Sequence, residues 1–133
     1  LDYDLVRTER PWHAAELAQS AAMAGYEAVV AAGGDGTANE VLNGLLLAQE
    51  ATGAGGPAMG VLTVGRGNDF AFGVGAPAGI EAGCRALAQG RRRRIDAGRV
   101  TGGLYPLTPS LPATLATASA SALMPWSALW RSR

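Results

Sequence analysis

Two short apolar runs, each ending in a glycine-rich loop, constrain this chain more than anything else in it. Residues 28–32 read Ala-Val-Val-Ala-Ala and lead into Gly33-Gly34-Asp35-Gly36. Residues 59–64 read Met-Gly-Val-Leu-Thr-Val and lead into Gly65-Arg66-Gly67-Asn68. Short apolar runs bounded by glycine suit strands buried on both faces, as in a parallel sheet. Helical spacing follows each loop. Val41, Leu42, Leu45 and Leu46 share a face over residues 37–49, and a shorter helical segment covers 69–72. Strand, loop, helix, twice over, predicts an α/β domain with a parallel sheet. Ligands in such sheets bind beyond the carboxyl ends of the strands, where both loops fall.

The remaining punctuation fits around this frame. Residues 2–7 read as a short strand. Pro11 suits a first helical turn, Ala14, Leu17, Ala21 and Ala24 recur at helical spacing, and Gly25 supplies a stop. Residues 80–89 read as a further helix closed by Gly90, and 91–100 as a polar strand.

Composition narrows the function classes. A chain of 133 residues, 48% of them hydrophobic, is long enough for one cored domain, so a disordered reading fails for most of it. Eleven basic against eleven acidic residues give no net charge, which argues against a general nucleic-acid binder. All the basic residues are Arg; there is no Lys. A single Cys and a single His build neither a disulfide nor a zinc site together, and suit a reducing cytosol. No secretory signal opens the chain. The uncharged stretch 100–130 carries four prolines among many Ser and Thr, which disfavours a membrane span.

The chemistry lies in the loops. Gly33, Gly34 and Gly36 let the backbone approach a ligand without a Cβ in the way, and the helix start behind them presents free N–H groups to an anion. Thr37 can cap that helix or donate its hydroxyl to a phosphate. The four loop residues alone fit a simple strand-to-helix turn equally well. A carboxylate such as Asp35 is unfavourable beside phosphate unless it holds Mg²⁺ or accepts a proton. There is no Gly-x-x-x-x-Gly-Lys-Ser/Thr pattern, and Gly65-Arg66-Gly67 lacks the third glycine of a dinucleotide fingerprint.

Taken together, Gly33-Gly34-Asp35-Gly36-Thr37-Ala38-Asn39-Glu40-Val41 with Asn43-Gly44-Leu45 resembles the nucleotide loop of the diacylglycerol kinase catalytic-domain family. Gly65-Arg66-Gly67-Asn68-Asp69-Phe70-Ala71 resembles its second signature, and Ile95-Asp96-Ala97-Gly98 the strand that follows. The resemblance spans roughly residues 8–104. NAD kinases share the Gly-Gly-Asp-Gly-Thr core, but Asn39-Glu40 and Gly67-Asn68-Asp69-Phe70 favour the lipid kinase branch.

The resemblance implies an NAD kinase/diacylglycerol kinase type of α/β nucleotide-binding domain, here incomplete. It implies ATP and Mg²⁺ as cofactors, a lipid alcohol such as diacylglycerol as acceptor, and a cytoplasmic protein with peripheral contact at the inner membrane surface. Gly33, Gly34, Asp35, Gly36, Thr37 and Asn39 would bind the nucleotide's phosphates, with Asp35 the essential acid. Asn68 and Asp69 would line the facing side of the cleft beside Gly65 and Gly67. Glu40 either reaches the nucleotide or compensates a helix dipole, and Asp69 is equally a helix cap. Where many relatives carry Thr, this chain has Arg66, either a solvated residue or the phosphate-binding cation of a Lys-free chain. The metal ligands and the oligomeric state are not implied.

Other residues have plainer readings. Arg91-Arg92-Arg93-Arg94 reads as a solvated run, with anionic lipid as its functional alternative. His13 reads as a surface or packing residue and Cys84 as a small buried one.

Past Tyr105 the composition changes: all 19 Gly lie at or before Gly103 and no acidic residue follows Asp96. The division expected is a partial diacylglycerol kinase catalytic (ATP-binding) domain over 1–104 and a low-complexity, disordered or out-of-frame tail over 105–133. The family's first strand and its β-rich second domain are not recognisable, so a truncated, poorly active or inactive fragment is expected. The alternatives are an NAD kinase-like phosphotransferase and a non-catalytic nucleotide-binding remnant.

Overall fold

A computed structural model describes residues 2–53, 55–101 and 114–117. Its elements are α1 (His13–Met23), β1 (Ala28–Gly33), α2 (Asp35–Thr52), β2 (Ala58–Thr63), α3 (Asp69–Gly73), α4 (Ile80–Ala88), β3 (Gly98–Thr101) and β4 (Thr114–Thr117). β1 and β2 pair in parallel with Ala28 beside Ala58 and Gly33 beside Thr63. β3 and β4 pair antiparallel in a second, separate sheet. The α/β class and the parallel pairing are therefore as the loops predict. In the stretch 105–133 only Thr114–Thr117 falls within the described residues.

The two-residue alternation of the strands sorts the helices into layers. Val29, Ala31 and Met59 face α1 and α2, joining Ala14, Ala18, Ala38, Val41 and Leu45 in the core. Gly60 and Leu62 face α4. A Cβ on Gly60 would stand 2.6 Å from Leu87 Cδ2, and one on Gly83 would stand 2.5 Å from Leu62 Cδ2. Each glycine thus makes room for the other element's leucine. Small residues likewise set the α1–α2 crossing. A Cβ on Gly44 would lie 2.1 Å from the Ala15 carbonyl oxygen, so the helices meet backbone to backbone. Glu40 ties the pair further: its Oε2 accepts the Ala14 N–H at 3.2 Å, capping the start of α1 from the side of α2.

Four expectations are corrected. Residues 2–7 form no strand, because no described strand runs alongside to pair with them; this exposed arm is tied to the body by the Tyr26 hydroxyl, which donates to Asp4. The polar strand expected over 91–100 is limited to its last residues, 98–100, within β3, and the four adjacent like charges fall in irregular chain. β1 is not buried on both faces: α4 covers β2 alone, which leaves Val30 41% exposed. Cys84 is exposed, on the outer side of α4. The helix boundaries also move. α1 begins at His13 behind Trp12, whose φ of 66° places it in the left-handed region, and α2 begins at Asp35 itself. Among the described residues no helix is long and apolar enough to cross a membrane.

Candidate functional site

The two glycine loops meet at the carboxyl ends of β1 and β2. The parallel register brings Gly33 beside Thr63, and the Val64 N–H donates to the Gly33 carbonyl at 3.2 Å, carrying the pairing into the loops. From there the backbones nearly touch. A Cβ on Gly65 would lie 2.5 Å from Gly34 Cα and 3.0 Å from Asn68 Oδ1. A Cβ on Gly67 would lie 2.9 Å from Asp35 Oδ2. Gly33 is excluded from bearing a side chain for a different reason: Thr37 Oγ1 occupies the place, 2.5 Å from where the Cβ would be.

Asp35 bridges the loops. It is the first residue of α2, behind the extended N-cap Gly34, and its Oδ1 accepts the Phe70 N–H at 2.9 Å across to α3. That bond, above all, holds the Asp35 carboxyl below the ordinary carboxylate value. Partial burial opposes the shift, while the N–H groups of Asp69, Asn68 and Asp35 itself reinforce it. Asn68 sits in the left-handed region with φ 63°, a conformation that Asn tolerates better than most residues. Its Nδ2 donates to the Gly65 carbonyl at 2.7 Å, and its Oδ1 is buried with no partner among the described residues. The Asn68 carbonyl in turn accepts the Phe72 N–H at 2.9 Å, closing the first turn of α3.

The remaining residues divide. Thr37 and Asn39 are half-buried on α2, and Asn39 accepts from Asn43 Nδ2 through its backbone oxygen at 2.8 Å. Glu40 is directed to α1, as above, and so supports the helix behind the loop. Arg66 and Asp69 are exposed, and Arg66 makes no ion pair among the described residues. The first intrahelical bond of α2 runs from the Ala38 N–H to the Gly34 carbonyl, so helix geometry leaves the N–H groups of Gly36 and Thr37 without intrahelical partners. Nothing stands within 4 Å of a Cβ built on Gly36.

The sequence alone missed three supports. The Phe70 backbone N–H holds Asp35. The Thr63 hydroxyl accepts the Gly79 N–H at 2.9 Å and places the start of α4. Gly44 lets α1 approach α2. Only Gly44 had a legible signal, an isolated glycine inside a helical pattern.

Fold and site together define an incomplete α/β domain of the NAD kinase and diacylglycerol kinase type. The chain belongs to the diacylglycerol kinase catalytic domain family, which matches residues 1–100. It is 43% identical over 83 residues to a protein named probable lipid kinase YegS-like from Chromohalobacter salexigens, covering 62% of this chain and 25% of that protein. It is 41% identical over 93 residues to the diacylglycerol kinase of Bacillus subtilis, covering 69% of this chain and 29% of that enzyme. A probable lipid kinase YegS-like from an Enterobacter species is 38% identical over 87 residues. The chain therefore spans about a quarter of the length of the curated relatives it matches.

Proposed function

We propose that this chain is the nucleotide-binding part of an ATP-dependent lipid kinase, which moves the γ-phosphoryl group of ATP to a lipid hydroxyl such as that of diacylglycerol. The observation that carries the reading is the meeting of two glycine loops at the carboxyl ends of parallel strands, with an unobstructed helix start beside them. Residues 1–104 would be a partial catalytic domain and 105–133 a tail following it in sequence, of which Thr114–Thr117 pairs with β3, leaving this piece poorly active or inactive by itself.

The residues present fit a phosphate group. The α2 amino end offers the N–H groups of Gly36 and Thr37, its dipole favours negative charge, and the open space at Gly36 admits a close approach. Gly33, Gly34 and Asn39 would complete the α2 side of the cleft, with Gly65, Gly67, Asn68 and Asp69 opposite. Arg66, exposed and without an ion pair among the described residues, is the cation best placed to meet a phosphate. Glu40 acts from behind, through α1.

Bound Mg·ATP would supply the phosphoryl group and a metal-neutralised leaving group. Among the described residues no three His, Cys, Asp or Glu side chains converge as a metal cage. The chain's own contribution is to orient the phosphates and fix the spacing of the loops. In the cell we place the protein in the cytoplasm, meeting its substrate peripherally at the membrane surface.

Gly36 offers a clean test, because Ala there meets no neighbour and favours the helix by about 0.5–1 kcal/mol. Gly36→Ala should raise the melting temperature slightly and weaken Mg·ATP binding in calorimetric titration. Unchanged affinity would remove the phosphate from the α2 amino end, and no binding by the unaltered chain would end the nucleotide reading. Offering radiolabelled ATP with diacylglycerol or with NAD separates the acceptors.

A further inference from the structure

We infer that Asp35 is a positioning residue, a built-in anion that clasps the second glycine loop to the first, rather than the proton acceptor of the reaction. The inference rests on the kinase reading above, and concerns how the cleft of that site is held in shape.

Both carboxylate oxygens face the second loop. Oδ1 accepts the Phe70 N–H at 2.9 Å, and Oδ2 lies so close to Gly67 that a Cβ there would stand 2.9 Å away. The carboxylate thus meets the backbone at the first turn of α3. Around this clasp the loops have no slack: Gly65 packs on Gly34, and Asn68 holds a left-handed turn by donating to the Gly65 carbonyl. A carboxylate held by backbone N–H groups stays ionised below its ordinary range, the opposite of what a general base near neutral pH requires. Its charge is met within the protein, which reduces its repulsion of a phosphate at the neighbouring α2 start. The other ionisable groups of this loop, Arg66 and Asp69, are exposed.

Asparagine and alanine separate the roles. An Asn side-chain oxygen can still accept the Phe70 N–H but cannot take up a proton as a base, whereas Ala removes the acceptor altogether. The experiment follows the Phe70 amide of the whole isotope-labelled chain by NMR, with circular dichroism to establish folding and calorimetry with Mg·ADP. In the unaltered chain the Phe70 amide proton should titrate with a midpoint below the ordinary Asp value of 3.8. In Asp35→Ala its exchange should accelerate, and ADP affinity should fall, each by about tenfold or more. Asp35→Asn should recover most of both.

A Phe70 amide indifferent to pH and to both substitutions would overturn the inference. So would an Asp35→Asn chain that keeps Phe70 protected yet binds ADP as weakly as the alanine variant, because Asp35 would then act on the ligand directly. If the alanine variant does not fold, the titration in the unaltered chain decides. If the unaltered chain takes up no ADP, the kinase reading fails while the Phe70 amide still reports the clasp.

Discussion

Gly34 and Gly65 face each other across the site, yet a methyl group at each should have different consequences. At Gly65 it would drive into the Gly34 backbone at 2.5 Å, and neither loop can yield without breaking its hydrogen bonds. At Gly34 the nearest atom, Gly65 Cα, would be an ordinary 3.4 Å away. Gly65→Ala should therefore cost about 1–3 kcal/mol, the usual range for overpacking, while Gly34→Ala should cost well under that. Urea denaturation of the two variants checks this, and equal losses would mean that the loops are not in contact. Asp35 adds a pH dependence at the same scale. Its folded-state carboxyl titrates below 3.8, so its contribution to stability is present above that value and is lost as pH falls through the lower folded value. Asp35→Asn should be less stable than the parent chain at neutral pH, and the gap should close in acid.

At the scale of elements, what could be read in the sequence was whatever depends on local pattern. The runs at 28–32 and 59–64, the loops between strand and helix, and the stop at Gly25 all follow from apolar spacing and glycine placement. What escaped was whatever depends on a neighbour. Residues 2–7 have the composition of a strand but no described strand beside them, and a β pattern without a partner has nowhere to place its backbone bonds. Glu40 read as reaching the nucleotide or compensating a helix dipole, but its carboxylate accepts from α1, a choice made only by the crossing of the two helices. The two loops were legible because glycine placement is local; the Asp35–Phe70 bond that joins them spans 35 positions and left no trace in spacing. Gly44 shows what the crossing demands. Gly44→Ala places a methyl 2.1 Å from the Ala15 carbonyl oxygen, which is backbone and cannot rotate aside. The helices must separate, so a loss of about 2 kcal/mol or more is expected despite the gain in helix propensity. A thermal melt above that of the parent chain would show that α1 does not pack here.

For the molecule as a whole, the two ends of the sheet have different characters. The glycine loops occupy the carboxyl end. The arginine run follows α4 back to the amino end, where Arg92 comes within 4.0 Å of Glu27 just ahead of β1. Any attraction of Arg91–94 for anionic lipid would therefore act at the pole away from the loops. Between the poles the sheet is unfinished. Among the described residues β1 has helices on one face only, and Val30 is 41% exposed on the other, while Leu5 in the arm at residues 2–7 is 84% exposed. Parallel sheets are ordinarily covered on both faces, and this chain spans about a quarter of its relatives. Exposed apolar sheet surface of this kind drives association. The chain by itself should self-associate as its concentration rises, seen as growing scattered light and an increasing sedimentation coefficient. Val30→Lys should reduce that association with little change in melting temperature, because the aliphatic stem can cover Gly60 while the ammonium remains in water. If association persists unchanged in Val30→Lys, the bare face of β1 is not where the copies meet, and the exposed arm at residues 2–7 becomes the surface to substitute next.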